Sequence, residues 1–347
     1  SGGVDSAVSL YLLKKQGYQV EAAYMKCFSE KINLKGQCPW KEDRLMAYRI
    51  AAQLKVPIRT LDFEKEYHKK VVDYIFSAYK KGLTPNPDIL CNNEIKFKLF
   101  LDAAKKLGFD KIATGHYARL SHDKFGYHLL RGQDSNKDQS YFLSGLTQKQ
   151  LSLATFPLGE LKKPAVRRIA TKAKLANANR PDSQGMCFIG KINLKTFLSQ
   201  KIKPKKGNIL DTAGHKLGTH QGVWYYTIGQ RKGLNLSGGP WYIVEKNIKK
   251  NIIVVGRIDD EELYKNVIQI GNLHWLAKEY KLPLKAQAQI RYRQPAQNVM
   301  ISQEPHKSSI TRGLYLATFK NQQKGVASGQ ILAIYKKDEL IGSGDII

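Results

Sequence analysis

Over its first 116 residues the chain alternates strand-like and helix-like stretches, and nothing else in the sequence constrains the fold as much. A helix pattern follows Ser6 through Val8, Leu10, Leu12 and Leu13, and residues 20–25 form a strand-like run. Leu45, Met46, Ile50, Ala51 and Leu54 recur at helical spacing, and residues 57–63 read as a second strand. Residues 67–79 and 94–107 read as helices, and 111–116 as a short strand. Strands separated by helices predict a doubly wound parallel sheet with helices on both faces, an α/β, Rossmann-like domain. From about Lys203 the texture changes to short β-rich runs between Gly, Pro and Asn, at 222–228, 241–244, 252–256, 286–292, 315–319 and 330–335. These predict one or two smaller β-rich domains. The expected division is 1–200, 203–268 and 269–347, with the first break in KIKPKKG and a softer one near 266–270.

A chain of 347 residues accommodates two or three domains of about 150 residues. No apolar stretch approaches about 18 residues, so a spanning helix is excluded. The first residues lack a basic segment and carry Asp5 among apolar positions, unlike a signal peptide. Four cysteines are too few for a disulfide scaffold and fit a reducing, cytoplasmic setting. Lys plus Arg number 57 against 29 Asp plus Glu, a net charge of +28. Such an excess predicts a polyanionic partner, nucleic acid first, although lysine-rich solvated faces would give the same count.

Ser1-Gly2-Gly3-Val4-Asp5-Ser6 stands immediately before the first helix pattern. Glycines permit positive φ and close approach of backbone N–H groups to an anion, the two serines add hydroxyls, and the helix adds its N-terminal partial charge. The Gly-Lys-Ser/Thr ending of a Walker A loop is absent. The pattern resembles the PP-loop of ATP pyrophosphatases, which split ATP between the α and β phosphates. An apolar strand usually leads into such a loop, so the sequence is expected to lack its first strand.

Two cysteines stand out. Cys91 follows the proline-locked TPNPDIL and precedes a helix expected from about Asn93, where a helix N-terminus would stabilise its thiolate. Cys187 sits between glycines in DSQGMCFIG, in a loop either accessible or buried by Phe188 and Ile189. Cys27 and Cys38 have no recognised zinc spacing and read as structural.

SGGVDS, TPNPDILCNNEIKF, ATGHYARL, DSNKDQSYFLSGL, FPLGELKKPAVRRIA, GMCFIG, GTHQGVWYYTIGQRKGL and RYRQ follow one another in this order. Together they resemble the tRNA-specific 2-thiouridylase family over essentially the whole chain. The departures are the missing first strand and Phe28 in place of a common Trp. The resemblance implies a C-terminal β-barrel and ATP with Mg2+ held by Ser1, Gly2, Gly3, Val4, Asp5, Ser6, Met25 and Gly115. It implies a target base met by Asn86, Pro87 and Asp88, and tRNA contacts at His116, Lys137, Asp138, Gln139, Arg291, Tyr292 and Gln330. By the same resemblance Cys91 is the catalytic thiol, Cys187 carries a persulfide from a sulfur-relay or cysteine desulfurase protein, and Asp88 manages a proton or a magnesium ion. Three other readings remain open. One is a PP-loop ligase in which nitrogen attacks the adenylate, which leaves the two cysteines without a use. The others are a noncatalytic basic RNA-binding protein and an enzyme with an iron–sulfur cluster on Asp88, Cys91 and Cys187.

Overall fold

The computed structural model describes residues 1–29, 40–182, 185, 187–189, 193–304 and 313–347. Cys38, and Ser183, Gln184, Met186 and Gly190 of the second cysteine motif, lie outside them. The first unit carries the expected helices and parallel strands. Strand β1 (Ala22–Lys26) pairs in parallel with β2 (Ile58–Asp62), in a register that sets Met25 against Leu61. The short β3 (Ile112–Ala113) pairs in parallel with the later β6 (Ala154–Thr155). Helix Val4–Lys15 springs from the glycine loop and buries Val4 and Val8 against Ile50, Val166 and Ala170.

Two long helices shape the middle of this unit, one over 64–80 and one over 87–106, each with a π-helical segment inside it: His68–Val72 and Asn92–Leu99. The second helix starts earlier than the apolar spacing suggested. Asn86 caps it, its side chain accepting the Ile89 N–H at 3.3 Å, and Pro87 takes the first helical position, where it has no hydrogen bond to lose. Cys91 therefore lies inside the helix and not just ahead of it.

The hairpin of β4 (Ala118–Asp123) and β5 (Gly126–Arg131) was not anticipated. It belongs in chain order to the first unit but in space to the last. The middle unit is a four-stranded sheet of β7 (Gly207–Asp211), β8 (Lys216–His220), β9 (Tyr242–Asn247) and β10 (Ile252–Gly256), ordered β8-β7-β10-β9. Part of the expected 222–228 strand is instead a 3-10 turn, Val223–Tyr225, whose Val223 and Tyr225 pack inward.

Six antiparallel strands close the C-terminal barrel: β11 (Tyr264–Trp275), β12 (Leu284–Gln289), β13 (Gln297–Gln303), β14 (Tyr315–Lys324), β15 (Ile331–Lys336) and β16 (Glu339–Ile346). Strand β11 runs straight through the anticipated 268/269 break. Closure comes from β16 returning to β11, with Ile270 opposite Ile346. Inside, Ile268, Val299, Ile301, Phe319, Leu332 and Ile334 form the apolar filling.

The units share cores. Tyr67, Ile75, Cys91 and Ile95 pack in one cluster with Ile209, Tyr225 and Ile243 of the middle sheet. Leu129, Tyr141 and Leu143 pack with Leu276, Tyr335 and Leu340 of the barrel. Among the described residues no helix is long and apolar enough to cross a membrane.

Candidate active site

The glycine loop has the geometry of an anion cradle. Gly2 adopts φ +67°, and a β-carbon there would come within 2.4 Å of the Asp43 carbonyl oxygen. Gly3 does not need the left-handed region, since its φ is −79°, so only one of the two glycines is there for positive φ. Gly3 caps the Val4–Lys15 helix with no side chain on the first N–H groups, which leaves them for an anion. Ser1 and Ser6 hydroxyls meet at 2.8 Å, and Ser6 donates to the Gly3 carbonyl at 3.0 Å. Gly115 closes the cradle from β3: a β-carbon on it would lie 2.9 Å from backbone atoms of both Asp5 and Ser6.

Around the loop stand Lys137, which the sequence singled out, and Lys163, Arg167 and Asp182, which it did not. Lys163 bonds the Asp5 carboxylate at 2.7 Å and Asp182 at 2.8 Å. Tyr117 donates its hydroxyl to Asp5 at 2.8 Å. Lys137 reaches Asp182 at 2.7 Å, and Arg167 also bonds that carboxylate. Although partial burial opposes it, this cationic setting holds the Asp182 carboxyl down at about 2. Asn177 and Arg180 each donate to the Gly2 carbonyl at 3.0 Å and fix the loop from behind.

The two candidate cysteines, 96 positions apart, meet with their sulfurs 3.5 Å from one another, as free thiols. Asp88, one helical turn before Cys91, accepts the backbone N–H of Cys187 at 2.9 Å, while Tyr67 donates to the Cys187 carbonyl at 2.6 Å. The electrostatics reverse the sequence expectation for Cys91. It is fully buried inside the helix, and burial together with the neighbouring Cys187 sulfur pushes its thiol well up. Cys187 is the depressed thiol, brought to about 7 by the Cys91 thiol and the Lys96 ammonium, against the opposing effect of burial. Burial also raises the Asp88 carboxyl and the Cys27 thiol.

Lys96 is the residue sequence reading passed over. It lies five positions beyond Cys91, too far to share a face on an ordinary α-helix, but the Asn92–Leu99 segment bonds i to i+5 and brings residues about five apart onto one side. Its charge reaches Ser1 of the loop as well as Asp88, Cys91 and Cys187, so the cradle and the thiol pair form one neighbourhood.

The remaining predicted residues divide by what their side chains hold. His116, buried beside Phe97 and Phe156, bonds Thr114 at 2.7 Å, and burial plus the Lys96 charge keep it neutral. Asp138 is buried and accepts from Gly132 N–H, Ser140 and Arg131, and Gln139 accepts the Tyr117 N–H at 3.1 Å. Arg291 donates to the Lys324 and Gly325 carbonyls, and Tyr292 lies against Phe142 with ring centroids 4.3 Å apart. Gln330 reaches out of the barrel to the Thr84 carbonyl at 2.8 Å and the Pro85 carbonyl at 3.3 Å. Among the described residues no group of three or more His, Cys, Asp and Glu is placed to hold a metal ion, and that includes Asp88, Cys91 and Cys187.

Three family models match the chain: a tRNA methyl transferase HUP domain over residues 1–191, a tRNA methyl transferase PRC-barrel domain over 195–257 and an aminomethyltransferase beta-barrel domain over 265–346. A tRNA-specific 2-thiouridylase of Flavobacterium johnsoniae is 40% identical, the match covering all of this chain and 98% of that protein. Those of Lactiplantibacillus plantarum and Streptococcus thermophilus are 44% and 42% identical, each over all of this chain and 93% of theirs.

Proposed function

The chain belongs to the tRNA-specific 2-thiouridylase family, and from that premise we propose that it uses ATP to replace the C2 oxygen of a tRNA wobble uridine with sulfur, Cys187 carrying the sulfur and Cys91 resolving it. One observation carries this assignment of roles: two thiols remote in sequence lie 3.5 Å apart beside a phosphate cradle. A ligase that uses nitrogen as nucleophile needs no such pair.

The C2 carbonyl of uridine is a poor electrophile, and its oxygen does not leave unaided. Attack of that oxygen on the α-phosphate expels pyrophosphate and turns the oxygen into part of an AMP leaving group. The cradle suits the nucleotide, because the free first-turn N–H groups of the Val4–Lys15 helix and the close-packed Gly2 and Gly115 leave room for phosphate but not for a side chain. Magnesium would arrive with the phosphates, with Asp5 as the carboxylate able to share it, and would neutralise charge on the departing pyrophosphate. Lys163, Lys137 and Arg167 stand beside the loop, paired with carboxylates, ready to exchange onto phosphate oxygens.

Sulfur enters as a persulfide. The Cys187 thiolate attacks the outer sulfur of a persulfide on a donor protein, whose own thiolate departs. The terminal sulfur on Cys187 then attacks C2 and AMP leaves. Attack by Cys91 on the Cys187 sulfur forms a Cys91–Cys187 disulfide and leaves the transferred sulfur, now reduced, on the base. A cellular dithiol reopens the disulfide. Asp88 anchors the carrier loop through the Cys187 N–H. Asn86, Pro87 and Asp88 begin the helix that carries Cys91, so a base held there sits next to the resolving thiol. Mass spectrometry of tRNA nucleosides from cells with and without the protein tests the reading: 2-thiouridine should disappear with it, and its persistence would overturn the proposal.

A further inference from the structure

We infer that Lys96 is the positioning residue of the sulfur carrier: its ammonium is the counter-charge that keeps Cys187 anionic, as thiolate before sulfur arrives and as persulfide afterwards. The inference rests on the carrier role of Cys187 proposed above.

Lys96 is a half-buried lysine whose usual partners are engaged elsewhere. Two residues before it, Glu94 pairs with Lys70 and with Lys98 at 3.2 Å, and Asp88 spends an oxygen on the Cys187 N–H. Among the described residues no carboxylate forms an ion pair with Lys96. A buried ammonium without a carboxylate is costly unless another anion answers it. The groups its charge acts on are the sulfurs of Cys187 and Cys91 first, and the Asp88 carboxylate after them. Its Nζ lies 5.9 Å from the centre of the Phe188 ring, so the side chain runs alongside the residue that follows the carrier.

The backbone explains how it arrives there. At about 100° per residue an α-helix would turn position 96 roughly 140° away from Cys91. The π-helical winding of Asn92–Leu99 removes most of that offset. Cys91, which donates to Cys187 and is the more deeply buried, stays a thiol until the carrier has reacted. The arrangement therefore separates the two sulfurs by charge before any chemistry occurs. No proton moves to or from Lys96 in the scheme, since an ammonium is needed throughout.

The titratable groups around the pair are Cys27 after β1, Tyr67 on the 64–80 helix, Asp88, Cys91 and Lys96 on the 87–106 helix, and His116 after β3. The test reads Cys187 alone, as the pH dependence of its alkylation by iodoacetamide followed by peptide mass spectrometry. The intact protein should show a midpoint near 7. In Lys96→Met the midpoint should rise by at least one unit, so the rate at pH 7 falls about tenfold or more while the rates converge at high pH. Lys96→Arg, which keeps the charge, should stay within about threefold of the intact protein at pH 7. A Lys96→Met profile superimposable on that of the intact protein would overturn the inference. So would equal loss in the Met and Arg variants, since that marks a packing role. Sulfur loading of Cys187 from a persulfide donor is scored separately on the unaltered protein. If Cys187 never loads, the carrier reading fails on its own, and the alkylation profiles still decide what Lys96 does.

Discussion

Replacing Gln330 with alanine removes an amide that leaves the barrel and donates to the carbonyls of Thr84 at 2.8 Å and Pro85 at 3.3 Å. Those carbonyls belong to the loop that ends in Asn86, the cap of the helix bearing Asp88 and Cys91. The loop keeps its other ties: Thr84 N–H to the Ser328 carbonyl at 2.8 Å, and Lys246 Nζ to the Gly82 carbonyl at 2.6 Å. A hydrogen bond contributes about 0.5–1.5 kcal/mol net, so the shorter bond and its weaker companion together come to about 1–2 kcal/mol. If that energy holds the loop in its productive position, Gln330→Ala should lower the rate with saturating tRNA by about 5–30-fold. The tRNA affinity should remain unchanged. Gln330→Glu should do worse than alanine, because it turns a carboxylate toward two carbonyls. Single-turnover thiolation with excess enzyme and filter binding of tRNA measure the two quantities separately. The family resemblance puts Gln330 among tRNA-contacting positions. An affinity that falls by this factor while the saturated rate holds would mean the amide touches RNA, and the positioning argument would be wrong.

Gly2→Ala should abolish tRNA-dependent pyrophosphate release while sparing tRNA binding, because the left-handed φ costs about 1–2 kcal/mol and the methyl group meets the Asp43 carbonyl as well; release at the normal rate would refute the cradle. Cys187→Ser should accept no sulfur, and Cys91→Ser should load Cys187 but fail to finish turnover. Peptide mapping of the unaltered protein after one turnover without reductant should show the Cys91–Cys187 disulfide, the sulfurs closing from 3.5 Å to ~2 Å, and thiolation by either serine variant contradicts the division. Binding of tRNA should weaken with salt at a log–log slope of about 0.7–0.9 per phosphate contact, and a flat response would detach the +28 charge from RNA. His128 on β5 bonds Glu339 at 2.6 Å and Asp123 at 2.8 Å, and both raise it above 6.5. Its contribution to stability is full below pH 6.5 and lost as pH rises through the raised value, so the melting temperature of His128→Gln should converge with that of the unaltered protein at alkaline pH.

Features carried by local period were readable in the sequence. The helices and parallel strands of the first unit announce themselves by spacing, and Ser1–Ser6 by its glycines against a helix start. Cys91 and Cys187 each stood out by local context, and only the family resemblance joined them as a pair. Partners far along the chain were not legible. The 118–131 hairpin has strand-like residues, but its reason for existing is β16, some two hundred positions later. The start of the 87–106 helix could have been read from Asn86-Pro87, a capping residue followed by a first-turn proline, had that cue been weighed above the apolar spacing. Lys96 was hidden for a different reason. Periodic reading assumes 3.6 residues per turn, and the π-helical stretch breaks that assumption where it matters for the site. The depressed thiol was expected at Cys91 on the strength of a helix terminus, whereas the burial of Cys91 raises it, and its hydrogen bond to Cys187 together with the Lys96 charge lowers Cys187 instead.

Strand β16 spends one edge on two partners. Its C-terminal part closes the barrel against β11, while Glu339 and Leu340 pair with Leu130 and Leu129 of the hairpin. The seam between the catalytic unit and the barrel is thus a sheet ladder, and a ladder is a ratchet with a fixed tooth. Sliding it by one residue would turn Leu129 and Leu340 from the shared core toward water, and sliding by two would abandon the bonds altogether. The barrel cannot swivel gradually against the cysteine pair as an enzyme with a flexible linker would. A substrate that needs more room must bend itself or displace loops such as 82–85. The distance from any RNA held on the barrel to the reacting sulfurs is therefore set as by a gauge block, at the moment the chain folds.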